Sequence, residues 1–150
     1  MVSFTLIAIT DSRTEKEDLS GNAVEDMIKE AGYEVVERKI VKNDLNRIRH
    51  AIEEADGEIV ITMGGTGISS KDLTPEALKP LLDKELCGFG ELFRRLSYED
   101  IGASTIMSRA FGGVMGKKAI FCLPGSTSAC VLGSGIVIKE CEHILLEMRK

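Results

Sequence analysis

Apolar residues fall along this chain in two rhythms. Short apolar runs occupy 4–10, 58–63 and 118–123 and, with the β-branched but more charged stretch 33–41, read as strands. The run at 4–10 has almost no polar interruption, which predicts a central strand covered on both faces. Between the runs, apolar positions recur at helical spacing. Ala23, Val24, Met27 and Ile28 make one stripe in a helix predicted over 21–31, with Ser20 as its cap and Gly32 as its stop. Ile48, Ala51, Ile52 and Ala55 make another in a helix over 45–55, capped by Asn43 or Asp44. The polar stretch 15–20 reads as a loop. Strand, helix, strand, helix, strand, helix in succession predicts an α/β fold with a mostly parallel central sheet and right-handed crossovers.

Beyond Leu82 the pattern loosens. A turn is expected at 87–91 and a short helix over 91–98, with Leu92, Phe93 and Leu96 facing the core. Helix is expected again from after Ser126 to about residue 149. Gly133 and Gly135 mark either a break in that helix or a close approach to a neighbouring helix. No linker or repeat divides the chain, so 1–150 is read as one domain.

The densest chemistry lies at 58–82. The strand there runs into Gly64, Gly65, Thr66 and Gly67, and Thr74-Pro75-Glu76 is a helix-start signal: a capping hydroxyl, proline in the first turn and an acid at the positive end. Glycines let backbone amides approach a ligand, and successive free amides form a nest for phosphate. Asp72 lies in the same loop. A carboxylate beside a phosphate nest repels the ligand unless a cation intervenes, so Asp72 either holds Mg²⁺, orients a substrate hydroxyl, or merely caps the turn before Thr74. The order of a P-loop is absent, because Lys71 follows Ser70 and precedes Asp72. Two further segments follow strands: Asp11, Ser12 and Arg13 after the first, and Pro124, Gly125 and Ser126 after the last. In a parallel sheet all three converge on one rim, the usual place for a ligand. From the residues alone this is a site for a phosphate-bearing ligand.

Composition narrows the field. A net charge of −5, with Lys and Arg scattered rather than striped, argues against nucleic acid or an anionic membrane as the main partner. No leader or membrane-spanning run is expected. Four cysteines without a Cys-x-x-Cys pair and only two histidines suggest reduced thiols in a cytoplasmic protein.

The sequence resembles the MogA/MoaB family of molybdenum cofactor biosynthesis proteins, which includes the G domain of gephyrin. The resemblance rests on Gly64-Gly-Thr-Gly-Ile-Ser-Ser-Lys-Asp-Leu-Thr-Pro-Glu-Ala77, Gly88-Phe-Gly-Glu91, Ser104-Thr105 with Ser108-Arg109, and Leu123-Pro-Gly-Ser126, in order over nearly the whole chain, and leans to the MoaB branch. It implies a three-layer α/β/α molybdopterin-binding fold, assembled as a homotrimer or homohexamer and working beside other enzymes of the pathway. It implies Mg²⁺- and ATP-dependent adenylylation of molybdopterin before metal insertion, or, without catalysis, molybdopterin or precursor binding. By the same resemblance Asp72 is a catalytic and metal-holding carboxylate. Gly64, Gly65, Thr66 and Gly67 line the phosphates. Asp11, Ser12, Arg13, Thr74, Pro75, Glu76, Glu91, Ser104, Thr105, Ser108, Arg109, Pro124, Gly125 and Ser126 belong to the ligand site. One position departs from the pattern: Asn43 stands where the family carries a second essential aspartate, with Asp44 one residue on.

Overall fold

The computed structural model describes residues 1–12, 14 and 18–150. Half of the loop expected at 15–20 lies outside them, and Leu19 and Ser20 are already helical. The strands are β1 (Ser3–Ile9), β2 (Glu34–Val41), β3 (Ile59–Met63), β4 (Lys84–Glu85), β5 (Phe111–Met115) and β6 (Lys118–Leu123). The helices are α1 (Leu19–Glu30), α2 (Leu45–Glu53), α3 (Thr74–Leu78), α4 (Cys87–Ile101) and α5 (Thr127–Met148). Short 3₁₀ turns at Lys79–Leu81 and Gly102–Met107 complete the order.

One sheet runs β2-β1-β3-β6-β5-β4. The pairs β1–β2, β1–β3 and β3–β6 are parallel, and β5 pairs antiparallel with both β6 and β4. The strand period of two sorts the buried side chains between two helical layers. Phe4, Leu6, Ile59, Ile61, Met63, Ala119, Phe121 and Leu123 pack with Val24, Ile28, Phe89, Phe93 and Val137 from α1, α4 and α5. Ile7, Ile9, Val60, Ile120 and Cys122 pack with Ile48, Ala51, Ile52, Ala77 and Leu78 from α2 and α3. Fully buried side chains such as Phe4, Phe93 and Phe121 each contribute about 1.5–3 kcal/mol relative to exposure. This is the expected three-layer α/β/α arrangement.

Several boundaries differ from expectation. Asp18, not Ser20, caps α1 by accepting from the Gly21 amide at 3.0 Å. Thr74 is the first residue of α3 rather than its cap, and its hydroxyl donates to the Gly64 carbonyl at 2.8 Å. The expected turn at 87–91 is instead the first part of α4, which is longer than the helix predicted at 91–98. Its glycines permit close packing: a Cβ on Gly90 would lie 2.9 Å from the Ala110 carbonyl oxygen. α5 is continuous through Gly133 and Gly135, and a Cβ on Gly133 would come within 2.2 Å of the Leu123 side chain. The close approach is therefore to β6, not to a neighbouring helix.

Candidate functional site

β1, β3 and β6 end at one level, and the backbone ties their ends together. Gly64 donates its amide to the Leu123 carbonyl at 2.8 Å, joining the loop after β3 to the end of β6. Gly64 also adopts φ 120°, and a Cβ there would lie 2.1 Å from the Ile9 carbonyl oxygen. Only glycine satisfies both the dihedral and the approach to β1. The Ser20 hydroxyl at the start of α1 donates to the Gly125 carbonyl at 2.9 Å. Backbone contacts and one serine hydroxyl thus hold the strand ends together at this rim.

The glycine loop is held from behind. Its carbonyls at Gly64, Gly65, Thr66 and Gly67 accept from the Thr74 hydroxyl, the Thr74 amide, the Arg109 amide and Arg109 Nε, at 2.8, 3.0, 2.9 and 2.8 Å. Arg109 Nη2 also donates to the Asp72 carbonyl at 3.1 Å. The amides of Gly65 and Thr66 have no protein acceptor among the described residues, and both residues line the adjoining cavity. Carbonyls turned inward and amides left over are what an anion nest requires.

Asp72 is fixed at the loop's far end. Its Oδ2 accepts from the Ser69 amide at 2.9 Å and the Ser69 hydroxyl at 2.7 Å. Partial burial works to raise its pKa, but the hydrogen bonds from Ser69 and the Gly67 amide, with the charge of Arg109, outweigh it and hold the carboxyl below its usual range. Gly67 passes so close that a Cβ would lie 2.8 Å from Asp72 Oδ2. Asp72 is therefore anionic at neutral pH, and its bonds to Ser69 close the turn that precedes Thr74, the capping role considered from the sequence.

These groups open onto a cavity of about 310 Å³. Gly65, Thr66, Gly67, Asp72, Pro124, Gly125, Ser126 and Ser128 form one side of its lining, with Phe93, Ile101, Met107 and Leu132 the apolar part. Ser126 is the N-cap of the long α5, so the cavity also meets the positive end of that helix. Ser97 and Asp100 line it too; neither was singled out in the sequence, because the expected helix stopped at 98 and gave Asp100 no place on a face.

The other expected site residues are distributed more widely. Pro75, Glu76, Glu91 and Arg109 line a second cavity, of about 390 Å³, and Ser108 lines both. Arg109 spends its guanidinium on Glu76 and on loop carbonyls rather than on open space. Thr105 is buried and donates to Ser97 Oγ at 3.3 Å, while Ser104 is exposed and lines neither cavity. Asp44 caps α2, accepting from the Arg47 amide at 2.9 Å. Asp11 accepts from the Asn43 amide at 3.0 Å and from Asn43 Nδ2 at 3.4 Å, and Asn43 Oδ1 is buried without a partner. Ser12 is exposed, and Arg13 lies outside the described residues.

Among the described residues no three His, Cys, Asp or Glu side chains form a ligand set for a metal ion. Mg²⁺ commonly takes one or two carboxylates and completes its shell with water and substrate phosphate. Asp72 fits that role as an anionic carboxylate in the same loop as the unclaimed amides. Among the described residues no helix is long and apolar enough to cross a membrane.

Comparison with known proteins agrees with this geometry. Residues 5–143 match the model of a family described as a probable molybdopterin binding domain. Molybdenum cofactor biosynthesis protein B of Bacillus cereus is 44% identical over 151 residues, covering 97% of this chain and 89% of that protein. The Escherichia coli K12 protein of the same name is 45% identical over 129 residues, covering 83% and 76%. A crystal structure of a molybdenum cofactor biosynthesis protein B superposes with a TM-score of 0.94 at 44% identity, covering 99% of this chain and 96% of the other. The tungsten cofactor synthesizing protein MoaB from Pyrococcus furiosus superposes at 0.89 with 39% identity, covering 99% and 98%. Glycine loop, strand-end rim and sequence likeness together make this chain a member of the MoaB/MogA family of molybdopterin-binding proteins of molybdenum cofactor biosynthesis.

Proposed function

We propose that this protein binds molybdopterin on the strand-end rim and adenylylates it with ATP. The observation that carries the reading is the pairing, in one loop, of unclaimed Gly65 and Thr66 amides with the anionic carboxylate of Asp72. A terminal phosphate of the pterin is held by those amides and the first turn of α5. One of its oxygens attacks the α-phosphorus of ATP; the new P–O bond forms as the bond to pyrophosphate breaks. No protein nucleophile is needed, so positioning and charge compensation are the protein's contribution. Asp72 is the residue that would hold Mg²⁺, which when bound neutralises phosphate charge.

The Asp11–Asn43 contact supports a second reading, binding without turnover. An amide is a poorer Mg²⁺ ligand than a carboxylate, and here it is also engaged by Asp11. One experiment separates the two: purified protein with molybdopterin, ATP and Mg²⁺, followed for pyrophosphate and adenylylated pterin. Turnover that disappears in Asp72→Asn while pterin binding survives supports the first reading. Binding without turnover in the wild type supports the second, and absence of binding removes both.

A homotrimer or homohexamer is part of the proposal. The exposed apolar side chains of Leu92, Tyr98 and Ile106 support it. Light scattering that finds only a 16.3 kDa species would remove that part.

A further inference from the structure

We propose that Asp100 is the specificity residue of this site, reading the 2-amino-lactam edge of the bound heterocycle; this rests on the pterin-binding reading above. Asp100 lines the same cavity as the glycine loop but belongs to another element, α4. Its carboxylate has no hydrogen-bond or ion-pair partner among the described residues, in contrast to Asp72 on Ser69 and Asp11 on Asn43. It also sits in the last turn of α4, where no basic residue offsets it and the helix presents its negative end. Its carboxylate is exposed and held by no other side chain among the described residues, so both oxygens are available to a ligand that brings hydrogen-bond donors.

The surroundings define which donors. Phe93, Ile101, Met107 and Leu132 give the cavity an apolar wall suited to a flat ring, and the Ser97 hydroxyl accepts from Thr105 with its own proton free to donate. The amides of Gly65 and Thr66 and the start of α5 account for the phosphate. A ring lying on the apolar wall, tethered by its phosphate to the loop, turns its remaining polar edge to Asp100. A pterin presents there a ring N–H beside an exocyclic amino group, two parallel donors that match the two oxygens of a carboxylate. Guanine carries the same edge, so the chemistry is shared and the test must separate the sources.

The test is equilibrium binding by fluorescence or calorimetry with three probes on the intact protein: a 6-alkylpterin phosphate, the matching lumazine phosphate in which a carbonyl replaces the 2-amino group, and GMP. Wild-type protein should prefer the pterin to the lumazine by about tenfold or more, because the lumazine oxygen faces the carboxylate without a proton between them. Asp100→Asn should lose about tenfold for the pterin and gain for the lumazine, since a carboxamide donates to the new carbonyl. The exposed position of Asp100 leaves folding unaffected by this substitution, and unchanged thermal unfolding checks that. Equal pterin affinity in wild type and variant overturns the assignment of Asp100 while leaving the pterin reading intact. GMP bound as tightly as the pterin phosphate, with the same dependence on Asp100, overturns the pterin as occupant. Wild-type protein that binds neither pterin nor lumazine overturns the parent reading and this inference with it.

Discussion

Arg109 and Glu76 join the two halves of the site. Both terminal nitrogens of the Arg109 guanidinium reach the Glu76 carboxylate, and Nε of the same group donates to the Gly67 carbonyl at 2.8 Å. Glu76 belongs to α3 and Arg109 precedes β5, so one planar side chain fixes the glycine loop between elements distant in sequence. Lysine cannot reproduce this fork. Arg109→Lys and Arg109→Gln should each cost about 1–3 kcal/mol of stability, measured by urea unfolding, and faster amide exchange should appear in the loop around Thr66.

The Glu76 end of that contact is exposed and should matter less. The hydrogen bond from Arg109 is the main cause holding the Glu76 carboxyl below its usual range, with burial acting weakly the other way. A depressed carboxyl contributes stability above its unfolded pKa and loses it as pH falls through the lower folded value. Solvent screening limits the contribution to less than about 1 kcal/mol. Glu76→Gln should therefore flatten slightly the fall of stability with pH in the acidic range and change little at pH 7. A large loss at pH 7 would mean that Glu76 supports the loop beyond this ion pair.

Asn43 offers a sharper electrostatic test. Its Nδ2 donates to Asp11, and its Oδ1 is buried. Asn43→Asp removes the donor, sets a carboxylate against Asp11 and leaves a charged oxygen without a partner. The variant should be less stable at neutral pH by about 1–3 kcal/mol. Because the cost belongs to the ionised form, the gap to wild type should narrow as pH falls toward the carboxylate range. Mg²⁺ that restores stability to the variant alone would show that the substitution creates a cation site; no recovery would mean that the two side chains cannot share an ion.

Much of this was legible in the sequence, and the illegible part has physical causes. β1 and β3 were readable as continuous apolar runs, and α1 and α2 by their helical spacing, as in Ile48, Ala51 and Ile52 of α2. β4 is two exposed residues, Lys84 and Glu85, and β5 carries Gly112 and Gly113, so neither bears a strand signal. Those glycines serve packing, since a Cβ on Gly112 would lie 2.7 Å from the Phe121 ring. Asp72 could be singled out because it stands beside the glycines. The work of Arg109 could not, because its partners are mostly carbonyls, which every residue has. Asp100 was hidden because the expected helix ended at 98, whereas α4 runs on to Ile101.

The glycines of the loop should differ in what their loss does. At Gly64 a Cβ meets the backbone of β1 at 2.1 Å and the dihedral is strained for any side chain, so Gly64→Ala should destabilise the whole fold by about 3 kcal/mol or more. At Gly67 the Cβ meets only the Asp72 carboxylate, at 2.8 Å. Gly67→Ala should keep most of its stability and impair ligand binding or turnover by displacing Asp72. Thermal unfolding run beside a binding titration separates the two effects. Equal losses of stability in both variants would mean that the loop responds as one rigid piece.

The cysteines test the burial pattern without reference to any ligand. Cys87 is exposed, whereas Cys122, Cys130 and Cys141 are buried, and none of the four is in a disulfide. Burial pushes the Cys122 thiol up to about 12, so at pH 8 it is both shielded and protonated. Hydrogen bonding to Glu85 raises the Cys87 thiol, which should slow its alkylation relative to a free thiol without blocking access. Native protein treated with iodoacetamide at pH 8 should therefore carry one label, on Cys87, located by peptide mass analysis. Cys87→Ser should carry none, and unfolding in urea should expose all of the rest together. Early labelling of Cys130 or Cys141 in native protein would show that α5 lifts from β6, and with it the N-terminal turn that faces the glycine loop.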